Sequence, residues 1–235
     1  MNKVLIAFFS FLAISMATAQ KKLCAEELIG KGTPKLHGEG INLRKDAYKA
    51  FLKMKEAAAK EGINITIVSS YRNFERQKAI WERKYEFYTS EGLSPEKSME
   101  KIIEYSTIPG TSRHHWGTDI DIMDGNKKYT GDVLVAEKFE AGGPFVKLKQ
   151  WMDINAKTFG FVLVYTNAQG RKGFKYEPWH YTYAPLSIGY LNQYKALNIK
   201  EILNQEGLLG AEHFTDEFIQ AYYKNNILDI NPELL

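Results

Sequence analysis

The sequence predicts an α+β fold, with helices packed on a small and mainly antiparallel sheet. Apolar residues recur at three- and four-residue steps in the first half of the chain, which is typical of helices with one buried face. Several short strand-like segments then follow between residues 118 and 183. This order of elements favours α+β over a parallel sheet built from alternating βαβ units.

Helices are predicted over four segments before the C-terminal region: 43–60, 73–88, 94–105 and 145–158. The first has one apolar stripe: Leu43, Ala47, Phe51, Met54 and Ala58. Ser94 and Pro95 predict the start of the third helix, because serine is a common N-cap and proline suits the first helical position. Residues 186–235 also suit helices, with Asn198 and Glu201 at the spacing of a capping box.

Strands are predicted over four short segments: 63–68, 118–123, 161–165 and 179–183. The first is rich in β-branched residues, and the second alternates polar and apolar residues as a half-buried strand does. Glycines between residues 170 and 173 suit a hairpin turn that joins the last two strands.

The N-terminus is typical of a secretory signal peptide. Lys3 gives a positive start, residues 4–16 are almost entirely apolar, and Ala17 and Ala19 supply the small residues that a signal peptidase needs. The apolar stretch is shorter than the roughly 20 residues that span a bilayer, so cleavage after Ala19 is favoured over an uncleaved anchor. We therefore expect a periplasmic or extracellular protein without stable membrane insertion after cleavage.

Charge and cysteine content narrow the function classes. The formal net charge of +3 falls to +2 when Lys3 is removed with the signal peptide. This near-balance argues against a dedicated nucleic-acid binder, and it neither favours nor excludes anionic cell-wall polymers as partners. The single cysteine, Cys24, cannot form an internal disulfide, so the fold must depend on an ordinary hydrophobic core.

Two clusters of histidine and carboxylate residues are candidates for chemistry. His114 is followed seven residues later by Asp121, and Glu177 comes three residues before His180. A catalytic zinc site needs three protein ligands and one open position for water, with a general base near that water. His114, Asp121 and His180 can supply the ligands. Glu177 can supply the base.

Spacing alone does not decide which side chains bind a metal. Asp119 and Asp121 lie on the same strand face, because side chains alternate with period two. His115 is a further candidate by proximity to His114. The ordinary alternative for each is structural, since an isolated histidine is more often a satisfied core side chain than a ligand.

Three ordered segments resemble a known peptidase family: SSYR with Gln77 at residues 69–77, SRHHWGTDID at 112–121 and EPWH at 177–180. They are similar to the zinc D-Ala-D-Ala carboxypeptidase and dipeptidase family of the LAS superfamily, which includes the vancomycin-resistance peptidases. The similarity covers about Leu43 to Ala184, most of the chain beyond the signal peptide.

The resemblance implies a role for seven residues. It implies three zinc ligands and one catalytic base: His114, Asp121, His180 and Glu177. It also implies that Arg72 steadies the oxyanion or a substrate carboxylate, as a fixed guanidinium fork can. Gln77 and Ser112 match positions that contact substrate in relatives. A surface ion pair for Arg72, a solvated side chain for Gln77 and a turn hydroxyl for Ser112 are the structural alternatives.

Asp119 is a departure from the family pattern, which usually has a small apolar residue there. An extra carboxylate near the metal can bind a substrate amine, orient a ligand or pair with Arg113. These three interpretations stay open at the level of sequence, and they concern substrate specificity rather than the metal site.

The extent of the resemblance, the Gly-rich segment before it and the helical stretch after it predict the domain organisation, and the resemblance implies the function. We expect an irregular segment over 20–42, a metallopeptidase domain over 43–203 and a helical C-terminal extension over 204–235. The implied activity is hydrolysis of the terminal D-Ala-D-Ala bond of peptidoglycan stem peptides. A D,D-dipeptidase, an L,D-carboxypeptidase, a peptidoglycan endopeptidase and a non-catalytic zinc-binding module, as in the related hedgehog domain, are the alternatives. The oligomeric state is left open.

Overall fold

A computed structural model of the chain describes residues 22–204 and 207–235. The predicted signal peptide, residues 1–19, lies outside the described residues. Among the helices of these two ranges, none combines the length and the apolar character needed to span a bilayer.

A four-stranded sheet lies at the centre of the fold, in the spatial order β1-β2-β4-β3, and every neighbouring pair is antiparallel. Its strands are β1 (Ile65–Ser69), β2 (Asp119–Asp124), β3 (Phe161–Leu163) and β4 (His180–Tyr183). The register places Asp121 beside Ser69 on one side and beside His180 on the other. The predicted α+β class is confirmed, and the sheet brings the ends of three separate sequence motifs together.

Helices of the described residues pack around this sheet. In chain order they are α1 (Ala25–Leu28), α2 (Lys45–Lys60), α3 (Phe74–Ser90), α4 (Pro95–Ile102), α5 (Val146–Asn155), α6 (Ala184–Tyr194), α7 (Ile199–Leu203) and α8 (Asp216–Tyr222). The side chains of Asn73, Ser94 and Asn198 cap α3, α4 and α7 by accepting hydrogen bonds from backbone N–H groups. The predicted starts at Ser94 and Asn198 are therefore confirmed.

The hydrophobic core has two clusters. One joins α2 and α5 to the sheet through buried residues that include Phe51, Met54, Ile122 and Trp151. The other joins α3, α4 and α6 to the C-terminal region through residues that include Trp81, Ile102, Tyr194 and Tyr222. Residues that lie between the two clusters therefore have packed elements on both sides.

Two regions differ from the simplest expectation. The connection between β3 and β4 is a long irregular segment, residues 164–179, rather than a tight hairpin turn. The helical C-terminal region packs into the same cluster as α3, and the Tyr222 hydroxyl accepts a hydrogen bond from the Ile108 N–H at 3.0 Å. Distant parts of the sequence thus support the segment that leads to His114.

Candidate metal centre and substrate cleft

Three candidate ligands predicted from the sequence meet at one point. His114 comes from a 3₁₀ turn (Arg113–Trp116), Asp121 from β2, and His180 begins β4. One ligand atom from each side chain lies within 4.8 Å of the others, and all three side chains are buried. The structure therefore brings together the predicted set and leaves Asp119 and His115 outside it.

His114 is held with one ring nitrogen free for a ligand. Its Nδ1 lies 2.6 Å from the Ser70 carbonyl oxygen. Because a carbonyl can only accept, Nδ1 carries the proton and Nε2 keeps its lone pair. Nε2 has no hydrogen-bond partner, and neither has Oδ1 of Asp121. Burial, followed by the charge of Arg72, lowers the pKa of His114, so the ring is neutral.

His180 lies between carboxylates. Its Nδ1 is 2.9 Å from Glu177 Oε2, and its Nε2 is 2.9 Å from Asp119 Oδ2. Burial alone would lower the pKa of His180, but Asp121 and the hydrogen-bonded carboxylates of Asp119 and Glu177 raise it to about 10. A positive charge is therefore stabilised at this position, as expected where carboxylates surround a cation site.

Asp119 is fully enclosed and fully engaged. Oδ2 accepts hydrogen bonds from Arg113 Nε at 3.0 Å and from His180 Nε2, while Oδ1 accepts from the hydroxyls of Thr118 and Thr182. The side chain is 0% exposed. Despite burial, Arg113 and His180 hold the pKa of Asp119 well below its usual range.

These contacts decide among the three interpretations of Asp119. Its pairing with Arg113 and its orientation of His180 occur together. A fully buried carboxylate whose two oxygens already accept hydrogen bonds from protein groups is not placed to bind a substrate amine. A carboxylate behind a ligating histidine is the common way to fix the tautomer and the orientation of the ring.

Glu177 lies at the end of the long connection, one turn before His180. Its N–H donates to the Tyr165 carbonyl at 3.1 Å, and its own carbonyl accepts from the His180 N–H at 3.1 Å. Pro178 stiffens the link between the two residues. Burial raises the pKa of Glu177, although the hydrogen bond to His180 opposes that rise. A carboxylate with a raised pKa beside a metal centre suits proton transfer.

Arg72 is fixed at the edge of the centre by its neighbours. Nη1 donates to Gln77 Oε1 at 2.9 Å, and Nη2 lies 3.7 Å from Asp121 Oδ2. The buried Nε has no protein partner. His115 supports the backbone here, since its Nδ1 lies 2.7 Å from the Arg72 carbonyl and burial lowers its pKa to about 3. His115 therefore has a structural role as a neutral ring.

Gln77 and Ser112 take positions behind the reactive groups. Gln77 is 0% exposed, and its amide donates to the Thr107 carbonyl at 2.8 Å while its oxygen accepts from Arg72. The Ser112 hydroxyl accepts from the His114 N–H at 3.3 Å and lines a small recess beside the centre. Gln77 thus holds Arg72, and direct contact of either residue with substrate stays a prediction.

An open cleft of about 890 Å³ reaches the centre, and Arg72, Asp121 and Glu177 line it. A recess of about 30 Å³ opens beside it and is lined by residues that include Ser112, Tyr165 and Phe174. The larger volume suits a peptide-sized ligand. The smaller one has room for a group of about the size of a methyl or a water molecule.

Two cleft residues were not singled out from the sequence, namely Lys84 on α3 and Ser106 after α4. Lys84 Nζ donates to the Ser106 hydroxyl at 2.6 Å. Lys84 follows Gln77 by seven residues, two helical turns, and therefore lies on the same face of α3. That spacing is the signal by which the sequence could have revealed it.

The arrangement has the parts of a hydrolytic metal centre. Two imidazoles and one carboxylate converge from rigid elements, a second carboxylate stands beside them, and the group opens to a peptide-sized cleft. Three such ligands with an open position are the donor set of catalytic zinc. Fold and site together define a metallopeptidase.

Comparison with known proteins gives the family. Residues 40–186 match the family model VanY, described as D-alanyl-D-alanine carboxypeptidase. A D-alanyl-D-alanine carboxypeptidase of Enterococcus faecalis is 28% identical over 171 residues, which cover 72% of this chain and 58% of the relative. The chain thus spans little more than half the length of that relative. The chain belongs to the VanY D-alanyl-D-alanine carboxypeptidase family.

Two solved structures share the fold. VanYB in complex with D-alanine-D-alanine superposes with a TM-score of 0.53 at 22% identity, over 75% of this chain and 91% of the other. A variant of the vancomycin-resistance D,D-pentapeptidase VanY in complex with Zn(II) gives 0.52 at 23% identity, over 72% of this chain and 88% of the other. The likeness supports the same architecture around the candidate centre.

Proposed function

We propose that the chain is an exported, zinc-dependent D,D-carboxypeptidase that removes the terminal D-alanine from peptidoglycan stem peptides. One observation carries the proposal: ligand atoms of His114, Asp121 and His180 converge beside the Glu177 carboxylate at the floor of an open cleft. Family membership supports the substrate class, and the relative solved with D-alanine-D-alanine supports it further.

The residues present fit a zinc ion. His114 Nε2 and Asp121 Oδ1 are buried polar atoms without a hydrogen-bond partner, and such atoms call for a ligand. His180 would bind through Nδ1, because Asp119 holds Nε2. When bound, zinc supplies a Lewis acid that polarises a carbonyl and makes a neighbouring water more acidic.

Glu177 carries the proton in this proposal. With a metal on Nδ1 of His180, that nitrogen would carry no proton, and the Glu177 carboxylate would be free to accept a proton from the attacking water. It then passes that proton to the departing amine of D-alanine. Its buried position and raised pKa favour both transfers, because a base that titrates nearer neutral pH can also act as the acid.

Arg72 stabilises the negative charge that develops on the scissile carbonyl oxygen. Gln77 and the neighbouring Asp121 fix the guanidinium, so little reorganisation is needed when the charge appears. The Nε donor is without a protein partner. A donor held ready in this way acts more strongly on the transition state than on the substrate.

Export is the remaining part of the proposal, and it depends on residues 1–19 as read from the sequence. A substrate in the cell wall requires a periplasmic or extracellular enzyme. The compartment predicted from the N-terminus and the substrate class of the family agree.

The test is release of D-alanine from a muramyl pentapeptide that ends in D-Ala-D-Ala. Four comparison substrates are used, each with and without chelator: the same pentapeptide ending in L-alanine, the free dipeptide D-Ala-D-Ala, a stem tetrapeptide whose last bond is L,D, and a cross-linked stem peptide. Chelator-sensitive release from the D-terminated pentapeptide alone is expected. Preferred cleavage of the dipeptide, of an L,D bond or of cross-linked peptides would replace the D,D-carboxypeptidase assignment with one of its relatives.

A further inference from the structure

The connection between β3 and β4 carries Glu177 on a stretch of chain that has no helix and no strand of its own, residues 164–179. In such a segment the backbone groups find their partners one by one, so single contacts decide where each residue lies. At the inner end, the Glu177 N–H donates to the Tyr165 carbonyl at 3.1 Å. The outer part depends on a different region of the molecule.

That region is the C-terminal segment, residues 207–235, which lies beyond the part of the chain that matches the family model. Oδ2 of Asp229 accepts hydrogen bonds from the N–H groups of Lys172 at 2.7 Å and Gly173 at 3.0 Å. Gly173 also lies directly against the backbone of Asn225, since a Cβ atom added at Gly173 would be 1.7 Å from the Asn225 carbonyl oxygen. The two segments are therefore packed without space for a side chain between them.

Arg171 joins the two ends of the outer loop to each other and to the C-terminal segment. Its guanidinium donates to the carbonyls of Thr166 at 2.7 Å, Phe174 at 2.9 Å and Asp229 at 2.8 Å. The same group lies 5.5 Å from the centre of the Tyr165 ring. A planar fork with several fixed donors can hold three carbonyls at once, and a single ammonium cannot reproduce that geometry.

The residues next to this loop contact the metal centre and the candidate base. The Tyr165 ring lies edge-on to the His180 ring with 5.1 Å between their centres, and the Phe174 ring lies 5.1 Å from the Tyr165 ring. The Tyr165 carbonyl is also the acceptor for the Glu177 N–H. A shift of the outer loop therefore displaces Glu177, and a displacement of about 1 Å at a reacting group can cost about 100-fold in rate.

We propose that Asp229 and Arg171, together called the clamp, are positioning residues for Glu177. This inference rests on the proposed function, in which Glu177 is the base. His180 begins β4 and is held by Asp119, whereas Glu177 lies in the irregular connection. Loss of the clamp should therefore lower turnover and leave the zinc ion bound.

The first experiment removes the Asp229 carboxylate. In Asp229→Ala, kcat for D-alanine release should fall by roughly 10- to 100-fold, with zinc content retained and KM changed much less than kcat. Asp229→Asn should keep most of the turnover, because its amide oxygen can still accept from the two backbone N–H groups. Arg171→Lys should lose turnover although it keeps the charge.

Asp216→Ala is the matched control, with the same substitution in the same segment at a residue that pairs with Lys200 at 2.6 Å. It should leave kcat unchanged. Parental turnover in Asp229→Ala, or a loss no larger than that in Asp216→Ala, would overturn the assignment. Arg171→Lys provides the same test at a second position if Asp229→Ala does not fold, and parental turnover there would also overturn it.

A double-mutant cycle distinguishes positioning of the base from general support of the fold. In a Glu177→Gln background, Asp229→Ala should reduce the residual turnover very little, because the group that the clamp positions no longer acts as a base. A further loss as large as that in the parent would show that Asp229 acts through another group, and the proposed role would be wrong.

Hydrogen exchange separates this inference from the proposed reaction. The Glu177 amide should exchange faster in Asp229→Ala than in Asp216→Ala, because its hydrogen bond to the Tyr165 carbonyl opens more often. If the parent released no D-alanine while this difference persisted, the reaction would be wrong and the hold of the clamp on Glu177 would stand. If D-alanine were released and exchange did not differ, the clamp would be wrong.

Discussion

The two walls of the site use their polar atoms differently. In the strand wall (Asp119, Asp121 and His180), hydrogen bonds within the protein hold the side chains of Asp119 and His180, and Oδ1 of Asp121 has no hydrogen-bond partner. In the helix wall (Arg72, Lys84 and Ser106), two cations line the cleft, and Arg72 Nε and Lys84 Nζ lack a hydrogen-bonded anion. The carboxylates and the imidazole of the strand wall suit a bound cation. The cationic side chains of the helix wall suit a bound anion.

This difference separates two tasks. A metal centre needs ligands fixed before the metal arrives, because their orientation decides affinity and geometry. A substrate site needs donors that are satisfied only when the substrate or its transition state is present. Changes in the strand wall should therefore affect metal binding first, and changes in the helix wall should affect kinetic constants with the metal retained.

The largest effect is expected from removal of a ligand. His114→Ala should lose both zinc and turnover, because Nε2 is one of three converging donors. His213→Ala is the control, since His213 lies beside Glu96 and Glu212 and apart from the centre. Metal analysis of both purified proteins checks this. Stoichiometric zinc in His114→Ala would rule out its role as a ligand.

Substitution of Glu177 should affect turnover without loss of the metal, although Glu177 belongs to neither wall. Glu177→Ala should keep zinc and fold while turnover falls by roughly two to four orders of magnitude, the usual cost of losing a general base. Glu137→Ala is the control, because Glu137 also lines the cleft and is exposed. Rates and metal content are measured together. Turnover near that of the parent would exclude Glu177 as the base.

Substitution of Arg72 tests the role of the helix wall in stabilising charge at the scissile bond. Arg72→Ala should lower kcat by roughly 100- to 1,000-fold with zinc retained, as for loss of an oxyanion donor. Lysine at this position should rescue poorly, because it lacks the planar fork. Arg76→Ala, in the same cleft but exposed, should have little effect. A raised KM as the sole defect of Arg72→Ala would point to substrate binding instead.

The smallest of these effects separates the two aspartates of the strand wall. Asp121→Asn should weaken zinc binding sharply, whereas Asp119→Asn should weaken it by roughly 10- to 100-fold through loss of ring orientation. Asp124→Asn is the control on the same strand, since Asp124 is buried and its Oδ1 accepts from the N–H groups of Asn64 and Asn126. The zinc affinities of the three variants are measured. A larger loss of affinity in Asp119→Asn than in Asp121→Asn would identify Asp119 as the ligand instead of Asp121.

Much of the strand wall could be predicted from the sequence. The periodicity of α2 and the β-branched residues of β1 fix local structure, and two short motifs contain the three candidate ligands and the candidate base. Spacing could not choose between Asp119 and Asp121, because both lie on one face. The family resemblance implied Asp121, and the structure adds a physical reason, because Arg113, Thr118 and Thr182 already hold the carboxylate of Asp119.

The helix wall was harder to predict because it depends on long-range packing. Lys84 meets Ser106 across 22 residues of sequence, and no local pattern contains both. The C-terminal region likewise reaches the site through contacts such as Tyr222 with Ile108. Its helices were predicted, but periodicity does not specify which distant segment a helix covers.

The central claim is that one metal ion, held by His114, Asp121 and His180, is required for D-alanine release. It is tested most directly by titrating zinc into metal-free protein while D-alanine release from the D-terminated pentapeptide is recorded. We predict that activity rises in proportion to added zinc and reaches a plateau at one zinc per chain. Full release of D-alanine by the metal-free protein, confirmed by metal analysis, would contradict the account.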